Sequence, residues 1–414
     1  MRAWMALGCA LMALGCGSDD GEDAVTQPTQ QVSQPAVAAA AFPRLDAATV
    51  DSYQLTAGST FTEYANRIAE LERIPQLRAK GVSDVLASAN RTGRNLCHPT
   101  HLNANLNPKG FCWQDGEDDD ENVWIPQGVT GSGDANPASG TVNGRRIVVA
   151  TWHTSGDTFL RVSFADVTDL AHVTYRHVLL VEPTSNTNFA AIPGHGHGLT
   201  WYANFLCVAT TGSVIRVFDV RHLWSMDTST AEVGRGSDGK YHARYHAFAL
   251  PQVGAYWYPG GGACANTTGT RPCFASLAFD HTGAGSLMAA EHVPRGKGRV
   301  VRWPMDRTSG LLATQADQRV HASEGFLSPV WAMQGAVARD GYFVLTGLCP
   351  EYADDPPADR PSCLHGGVGG VSTSRLGQAP VNSENLSYWP ATGELWLINE
   401  QLRERVTVHI PWPR

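Results

Sequence analysis

One short pattern recurs five times along the chain: an apolar segment led by glycine or a polar residue, a turn, and a second apolar segment that ends in a polar residue. The first segments begin near Trp124, His197, Phe274, Met333 and Asn385. The second segments cover residues 146–153, 205–211, 286–292, 342–347 and 394–400. Short apolar runs between glycine-rich turns predict β-strands, and strand pairs that recur in this way are typical of a β-propeller. The sequence therefore predicts an all-β fold, a five-bladed propeller over residues 122–414.

The spacing of the copies leaves a second blade count open. The copies lie roughly fifty to eighty residues apart, whereas a compact blade takes about forty to fifty. Insertions at residues 227–241 and 351–374 would account for the excess. N-terminal sequence could instead complete a sixth blade, so six blades is the alternative.

The N-terminus indicates export. Residues 1–16 carry one positive charge, a short apolar run and small residues before Cys16, which predicts a signal peptide too short to span a membrane as a mature helix. The end of this segment, 13–16, resembles a bacterial lipobox, and that resemblance implies lipidation of Cys16; plain secretion is the alternative. We therefore expect a protein of the cell envelope, as an outer-membrane or surface lipoprotein, or an extracellular one, with membrane contact only through the lipid anchor.

Two segments separate the signal peptide from the propeller. Residues 17–43 are rich in Asp, Gln, Thr, Pro and Ala and have few large apolar residues, which predicts a flexible tether. Residues 44–121 carry apolar residues at three- and four-residue spacing, among them Phe61, Tyr64, Ile68 and Leu71. This periodicity predicts a short helical segment that packs beside the β-domain.

Cysteine usage agrees with export. Six cysteines fall into near pairs, which are Cys97 with Cys112, Cys264 with Cys273, and Cys349 with Cys363. Each pair would close a short loop in an oxidising compartment. Spacing alone leaves the connectivity of these disulfides open.

The charge balance bears on partners. The chain has a formal net charge of −8 and an acidic run at residues 115–121. A nucleic-acid partner would call for a basic face, so the sequence argues against one. A small molecule, a glycan or a protein is the expected partner.

Two segments of the predicted blades resemble a known repeat. Residues 160–176 and 215–220 look like the LVIVD repeat, in which a strand ending in an Asp-led turn is followed by the outer strand of the blade. The run from Trp124 to Trp412 is similar to a set of secreted bacterial propeller proteins, common in actinomycetes, of unknown function. Leu170 departs from the proline that often follows the aspartate. The resemblance implies the fold and carries no catalytic signature.

Propeller geometry brings polar residues of different blades together. In a four-stranded antiparallel blade, the start of the innermost strand and the end of the second strand lie on the same face, at one mouth of the central channel. First strands start with Gln127, His195, His197, Gln334, Glu384 and Asn385, and second strands end with His153, Thr211, Glu291, His292 and Glu400. Converging polar groups in a concave site are the default hypothesis for a binding site.

The first hypothesis for this mouth is binding without catalysis. Gln127, His195, Gln334 and Asn385 are then the candidate contacts to a ligand, a glycan or a protein partner.

The alternative is a hydrolase or lyase that uses the same rim. His153, His197 and His292, with Glu291 or Glu384, are candidate ligands of a divalent metal ion. Such an ion would polarise a carbonyl or activate water for ester, lactone or uronate chemistry, and the cofactor remains otherwise unknown. Without a metal, Glu384 with Glu291 or Glu400 could divide the acid and base roles of glycoside cleavage. The candidate catalytic residues are Glu291, Glu384, Glu400 and His197.

Overall fold

The computed structural model describes residues 39–261, 264–265, 270–352 and 361–414. The predicted signal peptide, its Cys16 and the tether up to residue 38 lie outside the described residues. The predictions of lipidation and of anchoring therefore stay predictions.

The N-terminal part contains short strands and three helices. The strands are β1 (Ala40–Ala41), β2 (Ala79–Lys80), β3 (Arg91–Thr92), β4 (Arg94–Asn95) and β5 (Lys109–Cys112). The helices are α1 (Ala47–Asp51), α2 (Thr60–Leu71) and α3 (Val82–Ala87). As the three- and four-residue spacing predicts, one face of α2 is buried through Tyr64, Ile68 and Leu71, and it packs on Leu179 and Ala249.

Five four-stranded antiparallel sheets follow, which we call blades I to V. Blade I comprises β6 (Trp124–Gly131), β7 (Ile147–Thr154), β8 (Leu160–Asp166) and β9 (Thr174–Ser185), with helix α4 (Ser132–Ala135) after β6 and a short β10 (Asn188–Ala191) beside β9. Blade II comprises β11 (Gly196–Tyr202), β12 (Phe205–Thr210), β13 (Val214–Asp219) and, after the inserted strands β14 (Leu223–Ser225), β15 (Val233–Arg235) and β16 (Tyr241–Ala243), its outer strand β17 (Phe248–Tyr256).

The other three blades complete the ring. Blade III comprises β18 (Phe274–Asp280), β19 (Ser286–Glu291), β20 (Lys297–Asp306) and, after a short β21 (Leu311–Leu312), the outer strand β22 (Glu324–Trp331). Blade IV comprises β23 (Gly335–Arg339), β24 (Tyr342–Leu348), β25 (Ser362–Val368) and β26 (Ser372–Ala379). Blade V begins with β27 (Ser383–Trp389), β28 (Glu394–Asn399) and β29 (Val406–Pro411). Short 3-10 turns lie at Pro75–Leu77, Ala104–Leu106, Val220–His222, Pro259–Gly261 and Pro350–Tyr352.

The N-terminal sequence completes the fifth blade. Strand β5 pairs antiparallel with β29, in the register Val406 to Cys112 through His409 to Lys109, and so supplies the outer strand of blade V. The innermost strands β6, β11, β18, β23 and β27 then neighbour one another in a closed ring. The predicted propeller is confirmed with five blades, because the sequence that could have started a sixth blade closes the fifth.

Two segment boundaries differ from the sequence-based expectation. Strand β1 pairs with β26, and Phe42 is fully buried between Phe326 and Phe343, at centroid distances of 5.3 and 5.1 Å. The last residues of the predicted tether therefore belong to the fold, because the phenyl ring gains by leaving water. Residues 362–368, counted within an insertion, form the third strand of blade IV.

The predicted disulfides are confirmed. Bonds join Cys97 to Cys112, Cys264 to Cys273, and Cys349 to Cys363. The first of them ties the start of the N-terminal loop to β5. Disulfides form and persist in oxidising environments, which agrees with export. Within the part of the chain that the structure covers, no helix has the length and apolar character needed to cross a membrane.

Helix α4 lies at one end of the ring of innermost strands. It follows the C-terminal end of β6 and contacts the innermost strands β11 and β27. The buried carboxylate of Asp134 accepts hydrogen bonds from Thr130 and Ser387 and lies 3.0 Å from His281 Nε2. These contacts join blades I, V and III at this end, and the predicted rim lies at the opposite end, where the innermost strands begin.

Candidate functional site

The innermost strands share a deformation at the channel mouth. Strands β6, β11, β18 and β27 each carry one extra residue relative to their partner strand, at Pro126/Val129, Gly196/Gly198, Phe274/Ser276 and Ser383/Leu386. Such β-bulges re-aim side chains and are frequent beside functional sites. Here they turn one residue of each strand start toward the channel.

The bulges define two sets of equivalent positions. The first set, on the innermost strands, is Gln127, His197, Ala275, Gln334 and Glu384. The second set, at the ends of the second strands, is His153, Thr211, His292, Leu348 and Glu400. Most members are polar or titratable, which supports the prediction that this mouth carries the chemistry.

A small residue follows four of the five members of the first set because the blades approach closely there. A Cβ on Gly198 would lie 2.1 Å from the backbone nitrogen of Leu277 in blade III, and one on Gly335 would lie 2.6 Å from the Glu384 carbonyl oxygen in blade V. Asn385 occupies the same position in blade V, and its amide donates to the carbonyls of Val129 and Leu199, each at 3.0 Å. Asn385, predicted as a ligand contact, therefore ties three blades together.

Three histidines from blades I and II stack on one another at the mouth. The ring centroids of His153 and His195 are 3.6 Å apart, and those of His195 and His197 are 4.2 Å apart. His292 of blade III is close enough that its charge contributes to lowering the pKa of His197. The structure thus brings together all four histidines that the sequence placed on the rim.

These imidazoles are neutral around pH 7. Burial lowers the pKa of His153 and lowers that of His195 to about 4. Burial also holds the pKa of His197 well below its usual range, with further contributions from His195, His153 and His292. Protonation of one ring is opposed by its neighbours because like charges would face each other at short range. Neutral imidazole is the form that binds metal ions.

Asp157 orients this cluster, although no sequence motif pointed to it. Its carboxylate lies 2.7 Å from His153 Nδ1 and 3.3 Å from His195 Nδ1. His153 Nδ1 also lies 2.9 Å from the Thr154 carbonyl oxygen. Both neighbours are acceptors, so that Nδ1 carries the proton and Nε2 presents its lone pair. That Nε2 is buried and has no hydrogen-bond partner in the described part of the chain.

The other side of the mouth carries carboxylates held by glutamines. Gln127 of blade I donates to Glu400 of blade V, and Gln334 of blade IV donates to Glu384 of blade V at 3.0 Å. Both carboxylates line a cavity of about 300 Å³ together with Gln334, Asn382 and Ser383. Glu384 and Glu400 are therefore brought together, as predicted.

Glu291 is placed differently. Its two carboxylate oxygens each lie 2.6 Å from the Arg299 guanidinium, and both residues are almost fully buried. Successive side chains of a strand point to opposite faces, so His292 reaches the mouth and Glu291 does not. Glu291 therefore forms an ion pair inside blade III and does not line the mouth, which does not agree with its predicted catalytic role.

The chemistry of the site follows from these donors. The nitrogen and carboxylate atoms of His153, Asp157 and His195 that could bind an ion all lie within 4.8 Å of one another. Several neutral imidazoles, oriented by a carboxylate at the opposite ring nitrogen, form the donor set of protein sites for zinc and similar ions. A buried nitrogen lone pair without a partner is costly, and a metal ion would satisfy it.

Comparison with known proteins gives no family. No protein-family model matches the chain, and neither does any curated protein. Among solved structures, similarity is found to the Cps50 (Swd1) β-propeller domain of Myceliophteria thermophila, with 11% identity and a TM-score of 0.31 over 68% of this chain and 82% of that one. A glutaminyl cyclase from Myxococcus xanthus has 11% identity and a TM-score of 0.27 over 69% and 72%. A gluconolactonase from Xanthomonas campestris has 11% identity and a TM-score of 0.32 over 78% and 98%. Similarities this low carry no argument about activity.

Proposed function

We propose that the channel mouth binds a divalent transition-metal ion. With that ion, the protein would act as a hydrolase or lyase on a small substrate outside the cytoplasm, such as an ester, a lactone or a uronate. The observation that carries this proposal is the buried, unpartnered Nε2 of His153 within a stack of neutral imidazoles from two blades. His153, His195 and His197 are the proposed ligands, and His292 stands next to them. Imidazole donors favour zinc, iron, copper or nickel over calcium.

The side chains at the mouth would have different roles in such a reaction. When bound, the ion would polarise a substrate carbonyl or activate water. Asp157 holds the protons on the Nδ1 atoms of His153 and His195, which leaves the other nitrogens free for the ion. Glu384 and Glu400 line the cavity on the other side of the mouth, and they are the candidates for proton transfer to or from a substrate that reaches the ion. Gln127 and Gln334 fix the orientation of these carboxylates.

Metal analysis of the purified protein tests the proposal. After dialysis against a weak chelator, we expect about one equivalent of a transition metal per chain. His197→Ala and His153→Ala should lose that metal, whereas His172→Ala, which removes an exposed histidine paired with Asp169, should keep it. Turnover of lactone and ester substrates should stop on metal removal and return on reloading. Metal-free wild-type protein that cannot be loaded would contradict the proposal.

Binding without catalysis is the second candidate, and the cavity beside Glu384 and Glu400 favours it. Among the described residues, no imidazole lines this cavity of about 300 Å³, so a polar ligand or glycan could bind there without a metal ion. Metal-independent ligand binding that is weakened by Glu384→Gln and unaffected by His197→Ala would favour this second function.

A further inference from the structure

A second cavity lies on the outer side of the junction between blades I and II. It has a volume of about 460 Å³, in the range of small-molecule sites. Four arginines line it: Arg91, Arg161, Arg176 and Arg244. The whole chain has a formal net charge of −8, so the positive charge of this cavity is opposite in sign to the net charge of the protein.

Additions to the propeller build this cavity. Strand β17 pairs with β13 along its second half and runs parallel to β9 along its first half, which joins the outer strands of the two blades. The N-terminal strand β3 pairs with β9 and brings Arg91. The insertion that ends just before β17 supplies residues 244–247. Strand β17 is the outer strand of blade II, whereas neither β3 nor the insertion is needed for a four-stranded blade.

Two of the arginines have no carboxylate partner among the described residues. Asp118 bonds Arg161 at 2.6 Å and lies 3.5 Å from Arg91, and Glu117 bonds Arg91 at 2.8 Å. By contrast, no carboxylate of the described residues lies within salt-bridge distance of Arg176 or Arg244. Arg176 donates to the Ser88 carbonyl oxygen, and the Arg244 guanidinium lies 4.1 Å from the centroid of the Phe159 ring.

The two histidines of the cavity, His177 and His246, have lowered pKa values. Burial, with smaller contributions from Arg161 and His177, lowers the pKa of His246 to about 3. Burial and then Arg161 lower the pKa of His177 to about 4. Both rings are therefore neutral around pH 7, because burial disfavours their charged form and the neighbouring positive charge opposes it further.

Aromatic rings stand beside the arginines. Trp124 lies under the Arg161 guanidinium at 4.3 Å. Tyr245 is 61% exposed at the rim, where Arg244 and Tyr245 are two consecutive residues with left-handed backbone, at φ of 49° and 64°. Left-handed conformations cost free energy in residues other than glycine, and here they present a cation and a flat ring side by side.

We propose that this cavity binds an anionic saccharide. Its acidic group would pair with Arg176 and Arg244, because the guanidinium fork matches carboxylate and other oxyanions. Its sugar ring would lie against Tyr245, since such a ring offers an apolar face to an aromatic one. The cavity shares no residue with the channel mouth, and the proposal is independent of the metal site.

Calorimetric titration of the full chain with trigalacturonate tests this proposal. Arg176→Gln and Arg244→Gln should each weaken binding about tenfold to a hundredfold, because each removes a charged hydrogen bond. Arg235→Gln removes the same charge from the same insertion, away from the cavity lining, and should leave binding unchanged. His197→Ala should also bind like the wild type, which separates this result from the fate of the metal site.

The relative affinities for trigalacturonate, maltotriose and inorganic phosphate show which part of the ligand the cavity recognises. Tight binding of trigalacturonate with weak binding of maltotriose and of inorganic phosphate would support an acidic saccharide. Equal affinity for phosphate would overturn the role of the sugar ring, and equal affinity for maltotriose would overturn the role of the charge. No binding by the wild type, or unchanged binding in both cavity variants while thermal unfolding shows them folded, would overturn the proposal.

Discussion

At the scale of the residue, the pairing of Asp157 with two imidazoles determines which ring nitrogens can bind a metal ion. Asp157→Asn keeps the shape but replaces an acceptor for His153 Nδ1 and His195 Nδ1 by an amide that can donate instead. Loss of such an orienting carboxylate typically costs 10- to 100-fold in metal affinity. We expect about that loss, and less than the loss caused by His153→Ala, from competition titration with a chelating dye.

The matched control for Asp157→Asn is Asp169→Asn. Asp169 also bonds a histidine, His172 Nδ1 at 2.7 Å, but both side chains are exposed. It should leave metal affinity unchanged. Equal affinities in Asp157→Asn and the wild type would mean that the carboxylate does not set the tautomer of the histidine cluster.

The histidines could be predicted from the sequence and Asp157 could not, for a physical reason. His153, His195 and His197 occupy strand ends, whose place in a blade follows from the repeat. Asp157 lies in the turn after β7 with a left-handed backbone, at φ 51°, and only tertiary structure shows that this turn folds back over the mouth. Glu291 was misassigned because a one-residue shift along a strand reverses the direction of the side chain.

At the scale of the element, the closure of blade V by β5 depends on one glycine. A Cβ on Gly110 would lie 2.2 Å from the Thr407 carbonyl oxygen and 2.7 Å from Val408 Cα in the neighbouring strand. Because backbone atoms cannot rotate away as a side chain can, we expect Gly110→Ala to lower the free energy of unfolding by about 3 kcal/mol, the upper end of the cost of overpacking. Urea denaturation measures this change.

The control for Gly110→Ala is Gly377→Ala. Gly377 lies in β26, and a Cβ there would meet nothing within 4 Å. This variant should be neutral or more stable by about 0.5 kcal/mol, because alanine restricts the unfolded chain. Similar effects of the two substitutions would show that β5 does not hold the ring closed.

The innermost strands could be predicted from the sequence, and the strand that closes blade V could not. Three of the five innermost strands, β6, β11 and β23, share the motif of a polar residue, a glycine and an apolar run, and β18 and β27 depart from it by one residue each. Strand β5 is only the four residues Lys109–Cys112, too short for a periodicity, and its partner β29 lies almost at the other end of the chain. The bulges were equally hidden, because one extra residue in a strand leaves its apolar pattern nearly unchanged.

At the scale of the whole molecule, buried neutral histidines should make stability depend on pH. Burial lowers the pKa of His365 and of His177 to about 4 in the folded protein, whereas an unfolded histidine titrates near 6.5. Between these values the unfolded chain binds more protons than the folded one, so the free energy of unfolding rises with pH. Stability should therefore be complete above about pH 6.5 and decline as the pH falls toward about 4.

A single histidine variant measures one share of this slope. Each such group contributes at most about 1.4 kcal/mol per pH unit within the window. His365→Gln removes a titrating group that is 5% exposed and should flatten the dependence between pH 6.5 and 4.5 relative to the wild type, even if it lowers stability at every pH. His172→Gln, at an exposed position, is the matched control for the substitution itself. Urea denaturation at several pH values measures both slopes. Parallel pH dependences for the wild type and His365→Gln would mean that the pKa of His365 is the same in the folded and the unfolded chain, and would contradict the prediction.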